Sequence, residues 1–250
     1  MSHNRHLPKK LLEQEEKPYK EMATTRAWLQ RQKRSVAEQK LWDCLRTNAR
    51  NTLNLVQYVG NQVPELRMLR ISSNQLPLYT EPNWQDFWQQ ADVQRECERL
   101  YAPVGEAARQ LDVRLSMHPG QFCCLVSDNP QVVENSISEF EYHADLIRWM
   151  GYGKTFQDFK CNVHLSGKRG ASGFDAAYNR LSPEARNTIT IENDEYSAGV
   201  DDILQLGDRV ALVLDIHHHL IHSGGEYITP HSDRFARIVE SWRGVRPVIH

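Results

Sequence analysis

Paired cysteines, long apolar runs and any strong excess of charge are all missing from this 250-residue chain. The five cysteines, Cys44, Cys97, Cys123, Cys124 and Cys161, are odd in number and form no C-x-x-C pair, which argues against both a disulfide framework and a thiolate zinc site. No apolar run approaches the roughly 18 residues needed to cross a bilayer, and the polar start from Met1 to Lys20 has no apolar centre of the signal-peptide kind. The expected location is therefore cytoplasmic, with no membrane partner. A formal net charge of −2 creates no global field for nucleic acid.

What is present is ordinary in bulk and uneven in detail. A hydrophobic share of 40% with 25% charged residues is enough to build a globular core, and the length fits one large domain or two small ones. Residues 1–50 hold twelve Lys and Arg against six Asp and Glu, so the remaining 200 residues carry a net −8. An acidic remainder suits a site built for several divalent cations. The basic start permits phosphate contacts without requiring them.

Residues 1–22 are polar, with Pro8 and Pro18, and read as loop or disorder; residues 23–250 read as a single domain. Helical patterning covers Thr24 to Leu45, Asn48 to Val59, and Trp84 to Gln110, the last with an interruption expected at Pro103 and Gly105. The first clear strand is Arg67 to Ser73. From there strands alternate with helices, the pattern of βαβ units and a parallel sheet. Val113 to Met117 ends in His118, Lys160 to Val163 in His164, Asn187 to Ile191 in Glu192, Val210 to Leu214 in Asp215, and Arg246 to Ile249 in His250.

Any one of these polar ends has a bland explanation as a helix cap or a hydrogen-bonded strand end. Their recurrence at one structural position does not. In an α/β barrel the C-terminal strand ends are where the active site assembles, and clustered His, Asp and Glu mark metal sites. The set His118, His164, Glu192, Asp215, His218 and His250 offers nitrogen and oxygen without sulfur, which suits manganese, zinc, iron or cobalt. Six ligands exceed the three that one catalytic zinc takes, so more than one ion is expected, with Glu192 as the best bridging carboxylate. His217 or His219 remains an alternative to His218.

Five motifs carry a resemblance: Arg70-Ile71-Ser72-Ser73, Ser116-Met117-His118-Pro119-Gly120-Gln121-Phe122, Val163-His164-Leu165-Ser166-Gly167, Ile191-Glu192-Asn193-Asp194 and Asp215-Ile216-His217-His218-His219. In that order and spacing, from about Leu66 to His250, the chain resembles the UV damage endonuclease family. The resemblance implies a TIM-type parallel β/α barrel related to endonuclease IV and xylose isomerase. It further implies a manganese cluster of up to three ions, and damaged double-stranded DNA as partner, nicked immediately 5′ of UV photoproducts and related lesions. His118, His164, Glu192, Asp215 and His218 then serve as catalytic residues, and with His250 as metal ligands. Gln121 and Phe122 match a Gln-Tyr pair that probes the duplex, the phenylalanine keeping the stacking face and losing the phenolic hydrogen bond. Phe122 as a core aromatic stays open beside that reading. Lys168 and Arg169 are candidates for DNA phosphate contacts, or else an exposed basic turn.

The chain also departs from the family pattern. Val248 stands where relatives carry a lysine two residues before the ligand matching His250. The first and eighth strands are not evident, so the barrel reads as incomplete. Two other functions fit parts of the pattern: a metal-dependent sugar isomerase or epimerase on the same barrel, and a non-catalytic binder of damaged DNA. No obligate protein partner is indicated. An open parallel barrel leaves two edges unprotected, so the chain made alone is expected to dimerise or to be poorly soluble, as sedimentation would show. A soluble monomer with one sharp melting transition contradicts that expectation.

Overall fold

Three short segments, Lys160–His164 (β3), Ile189–Glu192 (β4) and Ala211–Val213 (β5), are buried at almost every residue. A strand can be buried on both faces only inside a sheet that is covered on both sides, which is the habit of parallel sheets. The protein, seen in a computed structural model that describes residues 8–120 and 122–250, has that architecture. Its strands are Met68–Ile71 (β1), Arg114–Met117 (β2) and then β3, β4 and β5, and no described residue before Met68 lies in a strand. By its internal contacts the chain divides into two compact units that meet at Arg114 and Leu115 in the sequence. No helix among the described residues is long and apolar enough to cross a membrane.

In the first unit the helix Arg34–Gly60 packs against the helix Ala91–Gln110. The break expected before Asn48 does not occur. Asparagine usually weakens a helix by bonding its own backbone, but here Asn48 accepts from Met22 N at 2.7 Å and donates to Gln75 O at 2.8 Å. Asn51 likewise donates to the carbonyls of Lys17 and Lys20. These bonds tie down the segment expected to be loop, and its described part carries the helix Lys9–Glu16 and a 3₁₀ turn at Lys17–Tyr19. The interruption expected at Pro103 is also absent. Val93, Cys97, Tyr101, Val104 and Ala108 form one buried stripe through the proline, and tertiary packing of that stripe outweighs the lost bond.

The second unit holds the parallel ladder. β2 pairs with β3, β3 with β4 and β4 with β5, with Asn162 opposite Thr190, His164 opposite Glu192 and Glu192 opposite Val213. Residues 187 and 188, expected to begin β4, instead end the helix Pro183–Thr188 that Ser182 caps. Other caps follow the sequence: Asn129 before Pro130–Trp149, Asp215 before Ile216–His222, and Ser232 before Asp233–Glu240.

The sixth strand, expected at Arg246 to Ile249, is reduced to a single bridge between Leu214 and Ile249. The reason is local. Ser241 Oγ accepts from Leu212 N at 2.9 Å, and Trp242 Nε1 donates to Leu212 O at 2.7 Å, so side chains already satisfy that edge of β5. Pro247 has no N–H to offer. The chain still closes beyond it: His250 N donates to Leu214 O at 2.9 Å, and Ile216 N to His250 O at 3.1 Å. Val248 packs with Phe156 and Val245 against the core formed by Ala211, Val213 and Trp242.

The helix Pro130–Trp149 buries His143 completely, its Nδ1 2.7 Å from the carbonyl of Glu139. Burial, opposed in part by that carbonyl, pushes its pKa down to about 4. Above pH ~6.5 the folded and unfolded forms are both neutral here; as pH falls from there toward 4 only the unfolded chain takes up the proton. Stability is therefore expected to fall across that window by on the order of 3 kcal/mol from this residue. Denaturant titrations of wild type and His143→Asn at pH 7 and pH 4.5 check it. The variant should show a shallower loss, and an equal loss contradicts the assignment.

Candidate metal centre

Alternation along β3 sets up the site. Lys160, Asn162 and His164 project from one face, Cys161 and Val163 from the other. Across the ladder Thr190 and Glu192 stand opposite Asn162 and His164, so one face gathers an amide, a hydroxyl, an imidazole and a carboxylate. Glu192 is 1% exposed and lies at the centre. Its Oε2 is 3.5 Å from His118 Nε2 and 3.8 Å from His164 Nε2, while Oε1 is 2.8 Å from His250 Nδ1. Asn162 Nδ2 donates to Oε2, and Thr190 Oγ1 donates to Asn162 Oδ1 at 2.7 Å, fixing which way that amide points.

The donors fall into two groups that share Glu192: His118, His164 and Glu192, and Glu192, Asp215 and His218. Within each group the candidate ligand atoms lie within 4.8 Å of one another. His250 contacts Glu192 but belongs to neither group. Of the other histidines in the motif, His217 is exposed and His219 is buried. Asp215 is both things the sequence suggested, since it caps the helix Ile216–His222 by accepting from His218 N at 2.7 Å and also faces the cluster.

Backbone carbonyls fix the imidazoles. His118 Nδ1 lies 2.9 Å from Pro119 O and His218 Nδ1 lies 3.1 Å from Asn193 O. A carbonyl only accepts, so each Nδ1 carries the proton and each Nε2 is left as a lone-pair donor. Asn193 also holds the ends of β4 and β5 together: its side chain accepts from Asp215 N at 2.8 Å and donates to Asp215 O at 3.0 Å. A cleft of about 190 Å³ opens over the cluster, lined by His164, His218, Ser166, Asp194, Glu195 and Cys123.

The electrostatics suit cations. Burial alone would raise the pKa of Glu192, but the imidazoles of His118, His250 and His164 around it hold it far below the usual carboxylate range. His164 is pushed down from its ordinary value, first by burial and then by His118 and His218, against the opposing pull of Glu192 and Asp194. The carboxylate is ionised and His164 is neutral at pH 7, the protonation states a ligand needs. Asp194, raised by burial, is lowered overall by the amides of Tyr196 and Ser197 and by Ser166 Oγ, which donates at 3.0 Å. His164 Nδ1 is buried with no hydrogen-bond partner, 3.9 Å from Asp194 Oδ2. A buried imidazole nitrogen with nothing to bond is costly unless something else fills that role. Together with the nitrogen and oxygen donor set, it shows that these residues fit a divalent ion.

Phe122, Lys168 and Arg169 lie within three residues in the chain of Gly120 or Ser166, which line this cleft. Phe122 is 84% exposed, so it is not a core aromatic. Gln121 lies outside the described residues. Lys168 and Arg169 are both exposed, Lys168 Nζ sitting 3.6 Å from Asp128. Their loop is held by Gly167, where φ is 139° and an added Cβ would sit 2.5 Å from Val126 O. Arg169 N donates to that same carbonyl.

Asn162, Asn193, Asp194, Ser166 and Lys160 were not among the expected site residues. The signal for Lys160 and Asn162 was present in Lys160-Cys161-Asn162-Val163-His164, where polar residues alternate inside a strand with no solvent face.

A family model described as UV-endonuclease UvdE matches residues 10–250. A UV DNA damage endonuclease of Bacillus mycoides (strain KBAB4) is 26% identical over 246 residues, covering 93% of this chain and 72% of that protein. One of Bacillus cereus (strain ATCC 10987 / NRS 248) is 26% identical over 226 residues, covering 85% and 66%. The chain thus spans 66–72% of the length of these two relatives. The solved structure of SacUVDE superposes with a TM-score of 0.74 at 24% identity, over 92% of this chain and 74% of that one. That likeness shows the fold class, an α/β barrel of TIM type.

Asn193→Ala leaves the N–H and C=O of Asp215 without their side-chain partners, a loss of about 1–3 kcal/mol for buried groups. The melting temperature of the metal-free protein should fall by several degrees. An unchanged melting temperature contradicts the bridging role.

Proposed function

The chain belongs to the UV-endonuclease family UvdE, and DNA-repair endonuclease is the enzyme class that membership carries; from that premise we propose that it is a cytoplasmic, metal-dependent nuclease that nicks damaged duplex DNA immediately 5′ of UV photoproducts and related lesions. The observation that carries the reading is the pair of donor groups sharing the buried carboxylate of Glu192.

His118, His164, Glu192, Asp215 and His218 would hold the divalent ions, manganese first among the candidates. Bound there, such ions supply a water-derived nucleophile at neutral pH and neutralise charge on the phosphate and the leaving oxygen. The protein's own residues do the rest. Glu192 keeps its negative charge because His250 and Asn162 donate to it, and would so counter the charge of ions held by the two donor groups. The carbonyls of Pro119 and Asn193 hold the rings of His118 and His218 with Nε2 free, so no proton must be displaced from either. Exposed Phe122 supplies a flat ring to fill the gap that an extruded, damaged dinucleotide leaves in the stack. Lys168 and Arg169, raised on the loop that Gly167 permits, reach phosphates and set register without reading sequence.

Incubation with manganese and a UV-irradiated, end-labelled duplex tests the proposal. The expected product is a nick adjacent to the dimer on its 5′ side, leaving a 3′-hydroxyl and a 5′-phosphate. Retention of the lesion without nicking would make the chain a damaged-DNA binder, and neither outcome would leave the sugar isomerase. Phe122→Ala should weaken discrimination between damaged and intact duplex by roughly tenfold or more, in line with about 1–3 kcal/mol per stacked base. Lys168→Ala with Arg169→Ala should weaken both duplexes alike and flatten the salt dependence.

A further inference from the structure

The buried face that carries the donors also carries a cation. Lys160 is 6% exposed and sits at the start of β3, two and four residues before Asn162 and His164 on the same face. Its Nζ is 3.0 Å from His250 Nε2, and His250 Nδ1 is 2.8 Å from Glu192 Oε1. The proposed chemistry above does not use this lysine.

With Lys160 as an ammonium and His250 neutral, each bond in this row has one direction. An ammonium group has three donors and no acceptor, so Lys160 donates and His250 Nε2 accepts. A neutral imidazole carries one proton, which is then on Nδ1 and points at Glu192 Oε1, an ionised carboxylate that can only accept. A charged donor and a charged acceptor at the two ends make both bonds stronger than neutral ones. Both nitrogens of His250 are engaged, which agrees with its absence from either donor group.

We propose that Lys160 is a positioning residue of the site, acting through His250: it fixes the Nδ1–H tautomer of His250, which holds Glu192 from behind as a support and is not itself a metal ligand. Oε1 is thereby restrained while Oε2 faces His118 and His164. The lysine also offers its charge from β3, whereas Val248 is committed to the apolar cluster around Trp242. Outer partners of this kind typically alter metal affinity or activity by roughly 10- to 100-fold when removed. The inference rests on the proposed metal site for its consequence, and on the Lys160–His250–Glu192 row for its geometry.

Two readouts test it separately. In metal-free wild-type protein labelled with ¹⁵N-histidine, NMR should show His250 as the Nδ1–H tautomer, still present after loading with diamagnetic zinc. Lys160→Met should shift it toward Nε2–H or a mixture, and Lys160→Arg, which also donates, should restore it. By manganese titration, His250→Gln should bind as many ions as wild type with roughly 10- to 100-fold weaker affinity. Lys160→Met should do the same, and the double variant should be no weaker than His250→Gln alone, because both act along one row. An Nε2–H tautomer in the metal-free protein, the loss of one manganese equivalent in His250→Gln, or additive losses in the double variant would overturn the proposal. A wild-type protein that takes up no manganese, yet shows the Nδ1–H tautomer and its loss in Lys160→Met, would retire the metal reading and support the row. Melting curves of each variant identify any that do not fold, and the wild-type tautomer decides the matter without them.

Discussion

A carboxylate buried to 1% exposure in the middle of a parallel sheet is the constraint on which the rest depends. Burying an isolated charge costs far more than a domain's net stability, so a buried carboxylate either takes a proton or surrounds itself with donors. Around Glu192 the second solution is built from sequence-local pieces. His118 directly follows β2, Asn162 and His164 belong to β3, and His250 closes on the end of β5 through Leu214. Only a parallel order with this register brings these three segments to one carboxylate, since a one-residue slip of β3 would turn Asn162 and His164 away and present Cys161 and Val163.

The site is therefore a property of the ladder before it is a property of any motif. The carbonyls of Pro119 and Asn193 set the histidine tautomers, and these carbonyls lie where strands end and the chain turns toward helices. Asn193 carries three roles within one residue, bonding both backbone groups of Asp215 and presenting its own carbonyl to His218. The cap of the helix Ile216–His222 is a fourth link in the same chain of bonds, because Asp215 holds His218 N while facing the cluster. Fold stability and site geometry are thus drawn from the same interactions.

The strand-end donors were legible in the sequence because their signal is local: an apolar run, then a His, Glu or Asp. The parallel class was legible from the alternation of strands and helices. Less legible were features decided by distant partners. The helix Arg34–Gly60 runs through Asn48 and Asn51 because Met22, Gln75, Lys17 and Lys20 take up those side chains, and nothing in the local pattern announces it. The sixth strand shrinks to a bridge because Ser241 and Trp242 satisfy Leu212 first. Asn162 and Lys160 escaped notice because a polar residue in a short strand usually faces solvent, and here no face does. The role of His250 could not be read from its position at a strand end, since that position does not say where its two nitrogens point.

On the proposed reading Glu192 is shared between two cation sites, His118 and His164 completing one and Asp215 and His218 the other. Anomalous diffraction from crystals soaked in manganese tests it most directly. Two peaks are expected, one within ligand distance of His118, His164 and Glu192 and the other within ligand distance of Glu192, Asp215 and His218, with the Glu192 carboxylate between them. Manganese bound elsewhere, or a single peak that leaves Glu192 outside its coordination sphere, would contradict it.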